Sequence, residues 1–258
     1  MDKDALAEES DETVDEILGG RLRIVQKKTG YRFSLDALLL AHFAGLSEGD
    51  DLIDLGTGSG IVAMILVGRC RCGRVLGIEI QEQLVMMARR SAALNGLDRR
   101  MEILQRDVRH PETFCAPLSF DAAVFNPPYR RLRSGRMNPD PEKAVARHEI
   151  MGTAADFLAA AGYALREGGR VYTIYPATRM AEILFRMRVC RIEPKRLRMV
   201  HSRPGGVGKF SLVEGIKGGR EELVVLSPLY IYEGKRGYSA EMAAIFRQLS
   251  ASPAAGGD

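Results

Sequence analysis

The segment from Asp51 to Ala63 constrains the fold of this chain more than any other. It reads Asp-Leu-Ile-Asp-Leu-Gly-Thr-Gly-Ser-Gly-Ile-Val-Ala, which predicts a buried parallel strand, a glycine-rich turn and the start of an apolar helix. Glycines in such a turn let the backbone approach a ligand closely and adopt φ values closed to other residues. The turn glycines are Gly56, Gly58 and Gly60.

The spacing of this turn also limits the kind of ligand. A dinucleotide fingerprint would carry its third glycine one position later, where this chain has Ile61, so the turn disfavours a nicotinamide or flavin site. Asp54 stands in the approach to the turn, where a carboxylate would repel a pyrophosphate. A cationic or zwitterionic ligand would not be repelled.

Two later strand-like runs end in carboxylates. Residues 75–80 carry Glu79 near the end of the run, and residues 101–107 close on Asp107. Each acid alone is compatible with a simple helix cap. Because ligands bind at the carboxyl ends of parallel strands, we expect both acids and the glycine turn to converge on one cleft. There Glu79 would accept both ribose hydroxyls of an adenosine, and Asp107 would accept from an adenine amino group.

A tetrapeptide after a further apolar run indicates chemistry at a planar amine. It is formed by Asn126, Pro127, Pro128 and Tyr129. An exocyclic amine attacks poorly because its lone pair is delocalised, so it needs acceptors on its hydrogens; the Asn oxygen and the first proline's carbonyl offer two. Proline has no competing N–H and stiffens the turn, and the tyrosine is predicted to stack on the target. The alternative is a plain strand-to-loop exit, for which Asn and Pro are ordinary residues.

The glycine turn, Glu79, Asp107 and the Asn-Pro-Pro-Tyr motif together resemble a class I S-adenosylmethionine-dependent methyltransferase of the amino-methylating type. Flanking stretches at residues 26–41, 212–219 and 227–232 are similar to those of the bacterial tRNA1(Val) (adenine-37-N6)-methyltransferases. With these stretches the similarity runs from about residue 15 to residue 232. A tyrosine at position 129 is compatible with both adenine and glutamine methylation, so the motif does not choose between them.

This resemblance implies that S-adenosyl-L-methionine is the cofactor and that the segment ahead of the glycine turn borders its methionine end. The implied cofactor-binding residues are Phe33, Ser34, Asp36, Asp54, Gly56, Thr57, Gly58, Gly60, Glu79, Ile80, Asp107, Val108 and Asn126. The implied catalytic residues are Asn126, Pro127, Pro128 and Tyr129.

The charge distribution favours a polyanionic partner. Residues 1–19 carry eight Asp or Glu against one Lys, so the rest of the chain is more basic than the net charge of +4 indicates. Arginines beside a base pocket can neutralise phosphates and stack on splayed bases, although a solvated cationic loop is the simpler alternative. The predicted RNA-binding residues are Lys27, Lys28, Arg32, Arg130, Arg131, Arg133, Arg136, Lys195, Arg196 and Arg203.

Alternating strand and helix periodicity predicts an α/β, doubly wound sheet, and the resemblance implies that it is a Rossmann-like class I methyltransferase fold. We expect a mostly parallel seven-stranded sheet with helices on both faces and an antiparallel hairpin at its edge, formed by residues 199–202 and 222–232. The predicted organisation is an acidic, disordered tail at 1–19, a methyltransferase domain at 20–235, and a C-terminal helix with a flexible tail at 236–258. Helices are predicted at 34–45, 61–68, 83–95, 153–165 and 178–189.

Composition bears on the cellular compartment and on the role of the cysteines. No apolar run approaches the roughly 18 residues of a membrane span, and the acidic N-terminus is unlike a signal peptide, so we expect a cytoplasmic protein. Four scattered cysteines argue against a disulfide framework. The close pair Cys70 and Cys72 lacks a second pair or a neighbouring His, so no metal site is predicted.

The sequence therefore predicts N6-methylation of an adenine in tRNA, at adenosine 37 of the anticodon loop. Two alternatives keep the chemistry and change the acceptor: a glutamine of a protein, or a base in rRNA. A third is a noncatalytic RNA-binding module on a methyltransferase scaffold, against which the intact motifs argue. The sequence leaves open whether the protein is a monomer or a homodimer.

Overall fold

The computed structural model describes residues 11–29, 34–70, 72–127, 152–234 and 237–251. Within these residues the chain forms ten strands and six α-helices. The strands are β1 (Glu12–Ile17), β2 (Leu22–Lys27), β3 (Leu52–Leu55), β4 (Val75–Glu79), β5 (Met101–Gln105), β6 (Phe120–Phe125), β7 (Leu165–Pro176), β8 (Ile192–His201), β9 (Gly208–Lys217) and β10 (Val224–Tyr230). The helices are α1 (Leu35–Phe43), α2 (Ile61–Arg69), α3 (Glu82–Leu94), α4 (Ala154–Ala164), α5 (Met180–Val189) and α6 (Ala240–Ser250).

Eight strands form one sheet in the order β10-β8-β9-β7-β6-β3-β4-β5. Strand β9 runs antiparallel to both of its neighbours, β7 and β8, and the other paired strands of this sheet are parallel. The predicted α/β fold with a mostly parallel sheet is therefore confirmed, with eight strands in place of the expected seven.

The expected edge hairpin was wrong in its pairing. Residues of β8 and β10 do lie side by side, but they pair in parallel, with Val224 opposite Arg196. The antiparallel partner of β8 is β9, which was not among the predicted strands. One glycine inside β9 has a packing role: a Cβ on Gly215 would lie 2.6 Å from Cγ2 of Ile192, so only glycine permits this close approach.

Two apolar cores lie on opposite faces of the sheet. In β3 the side chains alternate, so that Leu52 belongs to one core and Ile53 to the other, and both are fully buried. Helices α1, α2, α3 and α6 cover the first face, whereas α4 and α5 cover the second. This burial on both faces explains why β3 reads as a continuous apolar run interrupted only by an acid.

The N-terminal segment departs from the predicted disordered tail. Within it, β1 pairs with β2 in a separate antiparallel two-stranded sheet. Glu12 on β1 is 4% exposed and accepts a hydrogen bond from Nη2 of Arg90 at 2.7 Å, while the Val25 N–H on β2 donates to Ser91 Oγ at 2.9 Å. An acidic composition suggested solvation, but a buried partner on α3 offsets the cost of enclosing Glu12.

A C-terminal helix was predicted, and α6 confirms it. The Ser239 hydroxyl caps the helix by accepting from the Met242 N–H at 3.1 Å. Met242, Ile245 and Leu249 are buried in the first core, so this helix packs against the sheet domain. None of the described helices has the length and apolarity needed to cross a lipid bilayer.

The cysteines differ from expectation at one place. Cys70 and Cys72, at the end of α2, are joined by a disulfide, whereas Cys115 and Cys190 are free thiols. The sequence had argued against a disulfide framework, and this single bridge closes only a short local loop.

Candidate active site

The glycine turn between β3 and α2 has the conformation that its sequence predicts. Gly56, Gly58 and Gly60 have φ of +69°, +58° and +81°, a left-handed region that favours glycine. A Cβ on Gly56 would also lie 2.8 Å from Cε1 of Phe157 on α4. The Thr57 N–H donates to the Ile78 carbonyl at 2.9 Å and ties the turn to β4. The turn is thus fixed at the carboxyl ends of two strands, and its backbone is bare at the three glycines.

Asp54 is buried under the glycine turn and forms a hydrogen bond with it. Its side chain is 2% exposed and accepts a hydrogen bond from the Thr57 hydroxyl at 2.7 Å. Burial is the main reason that the pKa of Asp54 is raised to about 7; hydrogen bonds from Thr57 and the Ala63 backbone oppose this shift, and the charge of Glu79 adds to it. These contacts make Asp54 a residue that shapes the cofactor turn.

Glu79 lies at the end of β4, beside the turn. One carboxylate oxygen accepts from the Gly58 N–H at 3.1 Å and the other from the Gln81 N–H at 2.9 Å. The residue is 6% exposed, and burial raises the pKa of its carboxyl while the backbone hydrogen bonds oppose the rise. Ile80 follows directly and lines the neighbouring cleft. The carboxylate is therefore held next to the glycine turn, as the sequence predicted.

An open cleft of about 410 Å³ lies at the carboxyl end of β5. Its lining includes Ile80, Gln105, Arg106, Asp107, His110 and Thr113. Val108, the other predicted cofactor residue here, is buried beside it. The turn, Glu79 and this cleft lie along adjacent strand ends and together have the size and chemistry to hold a nucleoside.

Arg109 controls the charge of Asp107. Its Nε donates to the Asp107 carboxylate at 2.9 Å, and this hydrogen bond is the main reason that the pKa of Asp107 is lowered. Arg109 was not predicted, since nothing in a spacing of two residues marks it as a partner. The hydrogen bond favours the charged form of Asp107, and a carboxylate can accept from a ligand amino group.

Asn126 follows β6 and contacts the first turn of α1. Its Nδ2 donates to Asp36 Oδ2 at 3.1 Å, and the Ser34 hydroxyl donates to the other oxygen of Asp36. Asp36 is 7% exposed. A carboxylate only accepts hydrogen bonds, so this contact fixes the amide with its NH₂ toward Asp36 and its oxygen on the opposite branch. The sequence placed Asp36 near the cofactor but did not identify this link to Asn126.

Part of the predicted site lies outside the described residues. Pro127 is described and buried beside Asn126. Pro128, Tyr129 and Phe33 fall in undescribed segments, as do Arg32, Arg130, Arg131, Arg133 and Arg136. Their stacking, cofactor and RNA roles stay predictions.

The described basic residues fall in separate places. Lys27 and Lys28 are at the end of β2, where Lys27 pairs with Asp11 at 3.8 Å. Lys195 lies in the first half of β8 and donates to two backbone carbonyls. Arg196 is beside it and pairs with Glu214 at 2.7 Å. These two residues therefore already have structural partners.

Arg203 has a different location from Lys195 and Arg196. It follows the carboxyl end of β8, on the same edge of the sheet as Asn126. Arg203 thus lies beyond the end of β8, on the same edge as Asn126, whereas Arg196 lies within the sheet at the level of Val124, to which the pairings across β7 and β9 connect it.

Solved structures share this fold. A predicted O-methyltransferase from Agrobacterium tumefaciens has a TM-score of 0.69 and 24% identity, covering 86% of this chain and 100% of that structure. The geranyl diphosphate C-methyltransferase from Streptomyces coelicolor A3(2), in complex with Mg²⁺, geranyl diphosphate and S-adenosyl-L-homocysteine, has a TM-score of 0.52 at 15% identity over 70% of this chain and 78% of that one. At these identities the likeness establishes the class I methyltransferase fold.

Sequence relatives establish the family. The family model of the methyltransferase small domain matches residues 34–188. A tRNA1(Val) (adenine(37)-N6)-methyltransferase from Porphyromonas gingivalis is 30% identical over 190 residues, covering 71% of this chain and 74% of the relative. The enzyme of the same name from Pedobacter heparinus is 29% identical over 164 residues, covering 64% and 68%. The chain therefore belongs to the methyltransferase small domain family and is an S-adenosylmethionine-dependent methyltransferase.

Proposed function

We propose that this enzyme methylates N6 of an adenine in tRNA, at adenosine 37 of the anticodon loop. The observation that carries the proposal is the hydrogen bond from Asn126 to Asp36, because it sets the amide in the orientation that suits an amine substrate. The relatives named as tRNA1(Val) (adenine(37)-N6)-methyltransferases support adenine as the acceptor. A tRNA substrate also supports a cytoplasmic location.

Asn126 acts on the amine through its oxygen. The Asn126 NH₂ group donates to Asp36, and the Asn126 Oδ1 atom on the other side of the amide accepts from an exocyclic N–H of the substrate. The Pro127 carbonyl provides the second acceptor. Two acceptors draw the amine hydrogens out of the plane of the base, so that the nitrogen approaches a tetrahedral geometry and its lone pair points at the methyl donor. The contribution of these residues is therefore orientation.

The donor side of the site fits S-adenosylmethionine. The bound cofactor supplies an electrophilic methyl group on a sulfonium. Glu79, with backbone N–H groups holding its carboxylate, is placed to accept the ribose hydroxyls. Asp107 would accept from the adenine amino group, and the glycine turn allows the methionine portion to approach the backbone. These residues bind and orient the donor, and the proton of the methylated amine is released afterwards.

Nucleoside mass spectrometry tests this proposal. Purified enzyme and isotopically labelled S-adenosylmethionine are incubated with total RNA from a strain that lacks the gene, and the RNA is then digested. We expect label in N6-methyladenosine, located at position 37 after isolation of single tRNA species. The Asn126→Ala variant serves as the control: it should bind the cofactor with nearly wild-type affinity and transfer no measurable label.

Other outcomes identify the alternative acceptors. Label in glutamine of a co-incubated protein fraction, with none in RNA, would contradict an RNA substrate. Label in rRNA alone would keep the chemistry and reject tRNA. If the wild-type enzyme bound the cofactor but labelled neither class, the noncatalytic hypothesis would replace this one.

A further inference from the structure

A group of aromatic and basic side chains lies at the ends of β8 and β10, on the same edge of the sheet as the candidate active site. Strands β8 and β10 are parallel to one another, and both run in the direction of β6, because the reversed strand β9 separates β8 from β7. Their carboxyl ends therefore share the sheet edge that carries Asn126. They stand three and four strand positions from β6, which at about 4.8 Å per position is roughly 14 and 19 Å.

The aromatic part of this group is stacked and partly open. Tyr232, just after β10, stacks on Tyr238 with ring centroids 5.4 Å apart and planes inclined by 19°. Tyr238 also packs edge-on against Phe246 of α6 at 4.9 Å, yet it remains 50% exposed. At the strand ends, His201 lies against Tyr230 at 5.6 Å. Fixed rings with an exposed portion can receive a further planar group without reorganisation.

The basic part of the group holds a guanidinium on these rings. Arg203 lies over Tyr232 at 5.8 Å from the ring centroid, and its Nη1 donates to the Gly234 carbonyl at 2.6 Å. Lys209, at the start of β9, is exposed on the same edge, and Glu233 is the acidic neighbour within the segment. Arg203 is thereby held in one place, next to an exposed aromatic ring.

We propose that Tyr232, Tyr238 and Arg203 form a binding surface for the RNA strand that flanks the methylated nucleotide. Aromatic faces stack on unpaired bases, and an arginine beside them contacts the phosphate between nucleotides. This inference rests on the proposed function and adds to it the surface that holds the substrate loop outside the catalytic pocket. Lys195 and Arg196 already have structural partners, whereas the exposed ring of Tyr238 has room for a further contact.

RNA binding by the full-length enzyme tests this surface. Fluorescence anisotropy measures Kd for an unmodified anticodon stem–loop that contains adenosine 37, with Tyr238→Ala, Tyr238→Phe and Arg203→Gln as variants. We expect Tyr238→Ala to raise Kd about 5- to 100-fold and Tyr238→Phe to change it less than about twofold, since stacking needs the ring. Arg203→Gln should lower the slope of log Kd against log salt by about 0.7, as loss of one phosphate contact predicts.

A matched control is Arg99→Gln, which removes an exposed arginine just before β5, at the opposite edge of the sheet. It should leave both Kd and the salt slope unchanged. Calorimetry with S-adenosylmethionine and thermal denaturation confirm that each variant is folded. Should Tyr238→Ala unfold the segment between β10 and α6, the salt slope of Arg203→Gln, whose side chain is exposed, tests the surface by itself.

The results separate this inference from the proposed function. If Tyr238→Ala and Arg203→Gln bind the stem–loop like wild type while the wild-type enzyme methylates tRNA, the surface is wrong and the function stands. If the wild-type enzyme fails to methylate any RNA, the function is wrong, whatever the binding data show. A loss of RNA affinity equal in Arg99→Gln and Arg203→Gln would also overturn the surface, because it would indicate general charge attraction.

Discussion

Replacing Asp36 by asparagine is expected to reduce kcat strongly and to spare cofactor affinity. The carboxylate accepts from Asn126 Nδ2 at 3.1 Å in a location where Asp36 is 7% exposed, so little water can replace it. Hydrogen bonds to charged groups contribute roughly 1.5–3 kcal/mol, which corresponds to a fall in kcat of about 10- to 150-fold if the contact orients the amide. In Asp36→Asn the new amide can donate or accept, so Asn126 loses its fixed orientation.

Single-turnover methylation of tRNA measures this effect, and calorimetry measures S-adenosylmethionine affinity in the same preparation. Asp36 is a positioning residue by this reasoning, so the loss should appear in kcat with Kd for the cofactor changed less than about threefold. The matched control is Asp50→Asn, in a surface loop where the carboxylate accepts from the Ser47 N–H at 2.7 Å. It should keep wild-type turnover.

A loss of cofactor affinity in place of a loss of kcat would refute this reasoning. If Asp36→Asn lost cofactor affinity and the remaining complex turned over at the wild-type rate, Asp36 would act on the methionine end of the cofactor, as the family resemblance alone implies. Unchanged turnover and affinity would show that Asn126 is oriented by other contacts.

Three further substitutions test the donor side. Burial raises the pKa of Asp54 from 3.8 to about 7, so the contribution of Asp54 to the free energy of unfolding is complete below pH 3.8 and is lost as pH rises through 7. Urea titrations should therefore record a decline in the free energy of unfolding across this pH range. Asp54→Asn should remove up to roughly 4 kcal/mol of that decline. A residual decline should remain from Glu79, whose pKa is raised in the same direction, and an undiminished one would contradict the assignment. Glu79→Gln should raise Kd for S-adenosylmethionine by at least about tenfold in calorimetry, since it weakens acceptance from the ribose hydroxyls; an unchanged Kd would exclude that role. Gly56→Ala should destabilise the fold by about 1–3 kcal/mol in thermal denaturation, because position 56 has a positive φ and the new Cβ would meet Phe157. Adding Phe157→Leu should recover only the part of this loss that comes from the contact with Phe157. Full stability of the single variant would contradict both causes.

The fold could be predicted where local pattern and burial agree. Strands β3, β4 and β6 are enclosed on both faces, so their sequences are nearly continuous apolar runs. Strand β9 was not predicted because the glycines that flank it, within 205–208 and at 218–219, favour connections, and its interior carries Glu214 and Gly215. Glu214 is buried through its pairing with Arg196, and Gly215 makes room for α5 and β8. Such long-range partners leave no periodic signal in the strand itself.

The donor site was more predictable than the acceptor site for a related reason. Gly58, Glu79 and Asp107 each belong to one strand end, and the parallel sheet brings such ends together. The contact between Asp36 and Asn126 joins residues 90 positions apart. Local patterns identify each of these two residues as polar and placed near the cleft, but only the packing of α1 against the sheet makes them partners.

The reversed strand β9 also determines which basic residues can reach the substrate. In the predicted antiparallel hairpin, β8 and β10 would run in opposite directions and end at opposite edges of the sheet. Tyr232 and Arg203 would then be separated by the length of a strand. With β9 inserted, β8 and β10 run in the same direction and both end beside the catalytic edge. Lys195 and Arg203 are eight positions apart in sequence, and at about 3.3 Å per residue the strand places Lys195 within the sheet and Arg203 beyond its carboxyl edge. On the proposal made above, Arg203 should therefore affect tRNA binding, whereas Lys195, which donates to two backbone carbonyls, should affect stability.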